Sequence, residues 1–299
     1  MNIAKYEKYF FILPAVLSLL AVIALGMWGL KPGIDLAGGS LLQVTYAAER
    51  PTSEAVHAAV DGLGIGEVHV QPTGTNGYIL RQRDLTQDEK NTLENALKNL
   101  GANKEDQFTS IGPSLGSELV RKAWIAITLV VLCIIAFIAF AFRGVSKPVA
   151  SWKYGIVAII TLLHDILIPL GLFAALGHFM GAEVDALFIV ALLTILGISI
   201  NDTIVVFDRI RENLRLNEER HKREAFDEVV GRSIMQTLAR SINTSLTVVI
   251  TLAALYFLGP ASTKMFALTL IVGMIAGTYS SIFLASPLLV VWERFQKKG

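Results

Sequence analysis

Six stretches of this chain are apolar for long enough to cross roughly 30 Å of hydrocarbon. They run approximately over residues 10–30, 123–142, 154–177, 184–206, 242–259 and 265–290. A run of this length satisfies its backbone polar groups in lipid by closing them within a helix. Composition agrees: 17% of the residues are charged and mean hydropathy is +0.56, against about 25% charged residues in soluble domains. The expected fold is therefore an α-helical membrane protein with six transmembrane helices. Lys5 and Lys8 precede the first run. That run is longer than the roughly 7–15 residues of a signal-peptide core, and no A-x-A site follows it, so an uncleaved helix is expected. Cys133 is the only cysteine and cannot form an internal disulfide.

The polar segments divide the chain. Residues 1–30 hold the N-terminus and first span, 31–122 a large outer segment, and 123–206 the second to fourth spans. Residues 207–240 form a charged connection, and 241–299 hold the last two spans and the tail. Lys and Arg in short loops set orientation. Arg143, Lys147 and Lys153, the eight arginines and lysines of 207–240, and Arg294, Lys297 and Lys298 fall on one side with Lys5 and Lys8. The opposite loop, 178–183, has neither residue type. Both termini are expected in the cytoplasm and segment 31–122 outside. The mixed charges of 207–240 predict a solvated helical hairpin, with docking through its basic side as the competing reading.

Segment 31–122 reads as a small folded domain. LLQVTY (41–46) predicts a strand, and TSEAVHAAVDGLG (52–64) a helix capped by Thr52 or Ser53. EVHVQPT (67–73) and YILRQR (78–83) predict strands around the turn GTNG. TQDEKNTLENALKNLG (86–101) opens with a capping box, Thr86 to Glu89, and ends at Gly101. DQFTSIG (106–112) supplies a last strand. The order βαββαβ is the ferredoxin-like arrangement.

Asp202 lies within an otherwise almost wholly apolar span, near its cytoplasmic end. An ionisable group there costs about 2.5–3.5 kcal/mol on insertion scales and is tolerated mostly where it handles ions or protons. Arg240 lies just before the fifth span, which starts from the same side, so the two share a depth. A buried carboxyl beside an arginine is held between desolvation and the cation's attraction, and small movements switch it. A static ion pair or a snorkelling arginine competes with this titrating pair. His164 and Asp165 sit about ten residues into the third span, near the midplane. A histidine titrates near pH 6.5 and suits a proton relay. Consecutive residues diverge on a helix, so one serves a relay while the other satisfies a neighbour, or both are helix–helix glue.

Asn201 adds an amide beside Asp202. Ser199, three residues before Asp202, shares its face; Thr194, Thr244, Ser245, Thr247 and Thr251 add hydroxyls to the same two spans. Gly273 and Gly277, with Ser280 and Ser281, give the sixth span a small-residue face. Close packing explains such residues; a wettable seam past Asp202 competes for the hydroxyls. No metal site is expected, since no His or Cys partner stands at ligand spacing. GIDLAGGS (33–40) lacks a phosphate-loop lysine and follows a membrane helix, so it predicts a tight turn. No nucleotide, nucleophile-elbow or zinc-protease motif is present; an enzyme is not expected, nor a cofactor. Net charge is +1, and no nucleic-acid partner is expected.

GIDLAGGS, IGPSLGSEL (111–119), LLHDI (162–166), ISINDTIVVFDRIREN (198–213) and TLARSINTS (237–245) stand in order along the chain. Together they resemble the SecF family, accessory subunits of the bacterial Sec protein translocase within the resistance–nodulation–division superfamily. The resemblance implies a SecD partner with six further helices and use of the proton-motive force to help unfolded preproteins leave the SecYEG channel. It implies that Asp202 is the proton-carrying acid and Arg240 its partner, with His164, Asp165 and Asn201 as further polar positions. It also implies residence in the bacterial cytoplasmic membrane. SecF proteins commonly carry DFTGGT where this chain has DLAGGS, which is closer to SecD usage; a separate subunit and a SecF-like half of a fused SecDF chain both fit. A small-molecule exporter of the superfamily would have twelve helices and two large outer domains. An assembly factor that uses no protons is the remaining alternative, and sodium is the alternative coupling ion.

Overall fold

The computed structural model describes residues 3–141 and 151–298. The connection containing Arg143 and Lys147 lies outside the described residues. Two compact units are resolved by their internal packing: residues 32–125 with 184–186, and the remainder of the chain.

The first unit is built on a four-stranded antiparallel sheet. Its elements are α2 (Ile34–Ala37), β1 (Gly39–Tyr46), α3 (Ser53–Val60), β2 (His69–Thr73), β3 (Gly77–Gln82), α4 (Gln87–Leu100) and β4 (Asn103–Ile111). The spatial order β2-β3-β1-β4 is the ferredoxin-like topology that the chain order βαββαβ implies. Strand alternation decides which face is covered. Leu42 and Val44 of β1 register with Leu80 and Tyr78 of β3 and share one buried face with Tyr46, closed by Val56 and Val60 of α3 and by Leu93 and Leu97 of α4. Thr52 caps α3 through its hydroxyl, which accepts from the Ala55 amide. Thr86 and Glu89 form the full reciprocal capping box of α4. β4 begins three residues earlier than its apolar pattern indicates, because Tyr46 pairs with Asn103 and extends the ladder across Lys104 and Glu105.

The second unit is helical. Among the described residues, six helices are long and apolar enough to span a bilayer: Phe10–Trp28, Pro113–Ala141, Trp152–Met180, Ala186–Glu219, Phe226–Leu258 and Ser262–Phe295. They are carried by α1 (Ile3–Trp28), α5 (Pro113–Ala141), α6 (Ser151–Met180), α7 (Ala186–Glu219), α8 (Phe226–Leu258) and, for the last, α9 (Ala261–Ser280), a π-helical turn (Ser281–Ala285) and α10 (Ser286–Lys298). Pro287, which has no N–H for the carbonyl four residues back, directly follows the first residue of α10. Small residues let helices approach: a Cβ on Gly171 of α6 would lie 2.4 Å from the Ala21 Cα of α1.

The charged connection is not a separate element. α7 runs unbroken to Glu219 and α8 starts at Phe226, so the hairpin is made from the extended ends of two spans. Nor is it solvated throughout. Ile210, Asn213, Asn217, Val230, Ser233 and Ile234 are buried where the two helices face each other. The Asn213 amide donates to Ser233 Oγ and Gln236 Oε1, both at 2.8 Å. Arg232 reaches Glu224 at 2.7 Å.

Candidate functional site

The buried stripe of α7 carries Ile195, Ser199, Asp202 and Val206, which recur at helical spacing and face the unit's interior. α8 presents Ser233, Thr237, Ser241 and Ser245 at steps of four. Asp202 is 5% exposed. Its carboxyl feels the charge of Arg240 and lies in reach of the Ser245 hydroxyl. Arg240 stands on the exposed side of α8. Arg240 is thus near enough for its charge to act on Asp202, and no ion pair joins the two among the described residues. Asn201 points the other way, on the exposed face of α7, as do Asn243 and Thr244 on α8. Ser245 Oγ donates to the Ser241 carbonyl and meets Thr278 Oγ1 of α9 at 2.5 Å. Thr194 is half-buried and Thr247 and Thr251 are exposed, and all three donate to carbonyls of their own helices.

The third span holds a separate polar centre. Asp165 is fully buried and His164 is 6% exposed. The expectation that these neighbours diverge does not hold: His164 Nδ1 and Asp165 Oδ1 are 2.8 Å apart. The step of about 100° between consecutive helical positions separates their Cβ atoms, but both side chains are long enough to close it. Asp165 Oδ2 accepts from Ser199 Oγ of α7 and, at 2.9 Å, from Ser280 Oγ of α9. One carboxylate therefore ties three helices. Pro169 follows at the fourth position, so the Asp165 carbonyl has no i→i−4 donor in its own helix. His164 Nε2 is buried and has no hydrogen-bond partner among the described residues.

Glycines of α9 make this centre possible. A Cβ on Gly277 would lie 3.1 Å from Ser199 Cβ and 3.6 Å from Asp165 Oδ2. One on Gly273 would lie 2.2 Å from Ile195 Cδ1. The small-residue face of the sixth span thus packs on α7 within the same chain. Ser199 shares the inward face with Asp202 as its spacing implies, yet its hydroxyl serves Asp165. Sequence reading missed Thr278 and Pro169; the signal for Pro169 was its place four residues after an intramembrane acid.

The fold and this pair of centres define a multi-pass membrane protein with ionisable groups held inside its helical bundle. The family model described as protein export membrane protein SecD/SecF, C-terminal, matches residues 92–295. SecF, a protein translocase subunit, of Thermobaculum terrenum is 44% identical, over 98% of this chain and 94% of its own length. That of Anaerolinea thermophila is 37% identical over the same shares. The crystal structure of SecDF, a translocon-associated membrane protein, from Thermus thermophilus matches 98% of this chain with a TM-score of 0.85 and 31% identity. SecDF in a super-membrane-facing form matches with a TM-score of 0.70 and 32% identity. This chain spans 39% of the length of each SecDF chain. The chain belongs to the SecD/SecF family of protein-export membrane proteins.

Proposed function

We propose that this chain is the SecF-type subunit of a Sec translocase and couples proton movement through Asp202 to preprotein export. The observation that carries the reading is a buried carboxylate under the influence of Arg240 on the next helix, in a chain of this family. One proton crossing 100 mV supplies about 2.3 kcal/mol, enough to bias two arrangements of a helix pair. When Asp202 is neutral, the attraction to Arg240 lapses; when it ionises, the attraction returns. His164, Asp165 and Asn201 line the polar route in this reading, with the free Nε2 of His164 as a proton acceptor.

The sheet domain then stands outside the bacterial cytoplasmic membrane, with both termini and the hairpin of α7 and α8 in the cytoplasm. The working division is 1–30, 31–122, 123–206, 207–240 and 241–299. Arg240, Asn201, Asn243 and Thr244 are exposed on this chain alone, and such groups are costly in lipid. A SecD-like six-helix partner covers them. SecYEG and an emerging unfolded preprotein complete the assembly.

The test is export into inverted vesicles, compared with and without a proton-motive force. Asp202→Asn and Arg240→Met should each remove the stimulation while the protein still inserts and binds its partner. Stimulation by a sodium gradient with the proton gradient collapsed would overturn the choice of ion.

A further inference from the structure

The glycine-rich turn after the first span is explained by neither centre, and it is built with unusual closeness. Gly33 N–H donates to the Val184 carbonyl at 2.8 Å, and Pro32 bridges to Val184 in parallel. Asp35 Oδ2 accepts from the Ala186 amide at 3.1 Å, across 151 residues. Ala186 is the first residue of α7, and its N–H is among those that a helix start leaves without an intrahelical acceptor. An acidic side chain is favoured there.

The turn leaves no room for side chains at its glycines. Gly38 has φ +80°, and a Cβ on it would lie 2.7 Å from Pro113 Cα. One on Gly39 would lie 2.6 Å from the Gln82 carbonyl, and one on Gly116 would lie 2.9 Å from Gly38 N and from the Leu36 carbonyl. The ends of β3 and β4 and the first turn of α5 therefore grip α2 from several sides. GIDLAGGS and IGPSLGSEL thus meet at their glycines, Gly116 against Gly38. Residues 184–186 accordingly fall in the same compact unit as the sheet, while the helix they open continues to Asp202, about 24 Å further along its axis.

We infer that Asp35 is a positioning residue that fastens the sheet domain to the start of the helix carrying Asp202, so that displacement of that helix is delivered to the sheet domain. The geometry stands by itself; the purpose rests on the coupling reading above.

Two arms test it on the full chain with its SecD-like partner. In lipid nanodiscs, hydrogen exchange in Asp35→Ala should rise about five- to tenfold at residues 187–190, the loss expected of a cap, and stay unchanged at 195–207. In inverted vesicles, the ratio of export with and without membrane potential should fall towards one in Asp35→Ala, and Asp35→Asn, which keeps an acceptor oxygen, should retain most of it. Ala186→Pro removes the donor instead, at a position where proline suits a helix start. It should lower the ratio too, whereas a cap that only stabilises the helix predicts no loss. If Asp35→Ala fails to accumulate, Ala186→Pro carries the export arm. Unchanged exchange at 187–190 overturns the fastening. An unchanged ratio in Ala186→Pro overturns the delivery of movement. Asp202→Asn run alongside separates these results from failure of the coupling itself, because only that failure leaves its ratio intact.

Discussion

Asp165 and Asp202 are both acids within apolar helices of one bundle, yet their surroundings differ. Asp165 is enclosed completely, and both its oxygens are engaged, by a histidine in its own helix and by serines from two others. Asp202 is nearly as buried, but its cation stands on an exposed helix face and its near neighbour Ser245 already donates elsewhere. A buried carboxyl with both oxygens engaged by neighbouring helices is held in one arrangement. One whose partner remains accessible has a second arrangement within reach. The contacts of the first acid hold three helices together beside the proposed route, and in the proposed reading the second is the one that switches, although both appear in the sequence as one acid in an apolar run.

The comparison breaks first under stability measurements. Asp165→Ala strands the Ser199 hydroxyl and the His164 ring and leaves Ser280 only the Gly277 carbonyl. Interhelical hydrogen bonds in membranes are worth about 0.6–1.7 kcal/mol each, so the loss should be about 2–5 kcal/mol in detergent unfolding. Asp202→Asn should change the same transition by less than about 1 kcal/mol. Equal losses would erase the distinction between the two acids. A smaller effect is expected from Gly273→Ala, whose new methyl meets Ile195; overpacking of this kind costs about 1–3 kcal/mol, and Ile195→Ala should relieve it. Gly277→Ala should cost less, since its nearest contact is 3.1 Å.

The smallest effects belong to the sheet domain, whose charges are solvated. The hydrogen bond from Arg83, then that from the Thr86 backbone, hold the Glu89 carboxyl at about 2, below its ordinary 4.5. Its contribution is fully present above pH about 4.5 and is lost as the pH falls through about 2. Protection of the α4 amides, taken relative to intrinsic exchange at each pH, should therefore fall across that window, and Glu89→Gln should weaken the dependence. Thr86→Ala should cost about 1 kcal/mol. These changes should leave potential-stimulated export intact.

What the sequence made legible follows from range. The capping box, the six spans and the strand order depend on residues close in the chain, and Asp202 was visible because nothing near it is charged on the N-terminal side. Asp165 was visible as an acid, but its partners are 34 and 115 residues away. Which of Asn201 and Asp202 faces inward could not be read from an almost uniformly apolar helix, where periodicity is lost. Where the glycine-rich pattern predicts a tight turn, Asp35 lies in the short helix α2; its bond to Ala186 lies 151 residues distant and had no local signal.

The central claim concerns Asp202, and the most direct measurement is preprotein export into inverted vesicles carrying Asp202→Asn with the SecD-like partner, at matched abundance, with and without a proton-motive force. The account predicts basal export with no stimulation by the gradient. Full stimulation in a variant that inserts and assembles normally would contradict it.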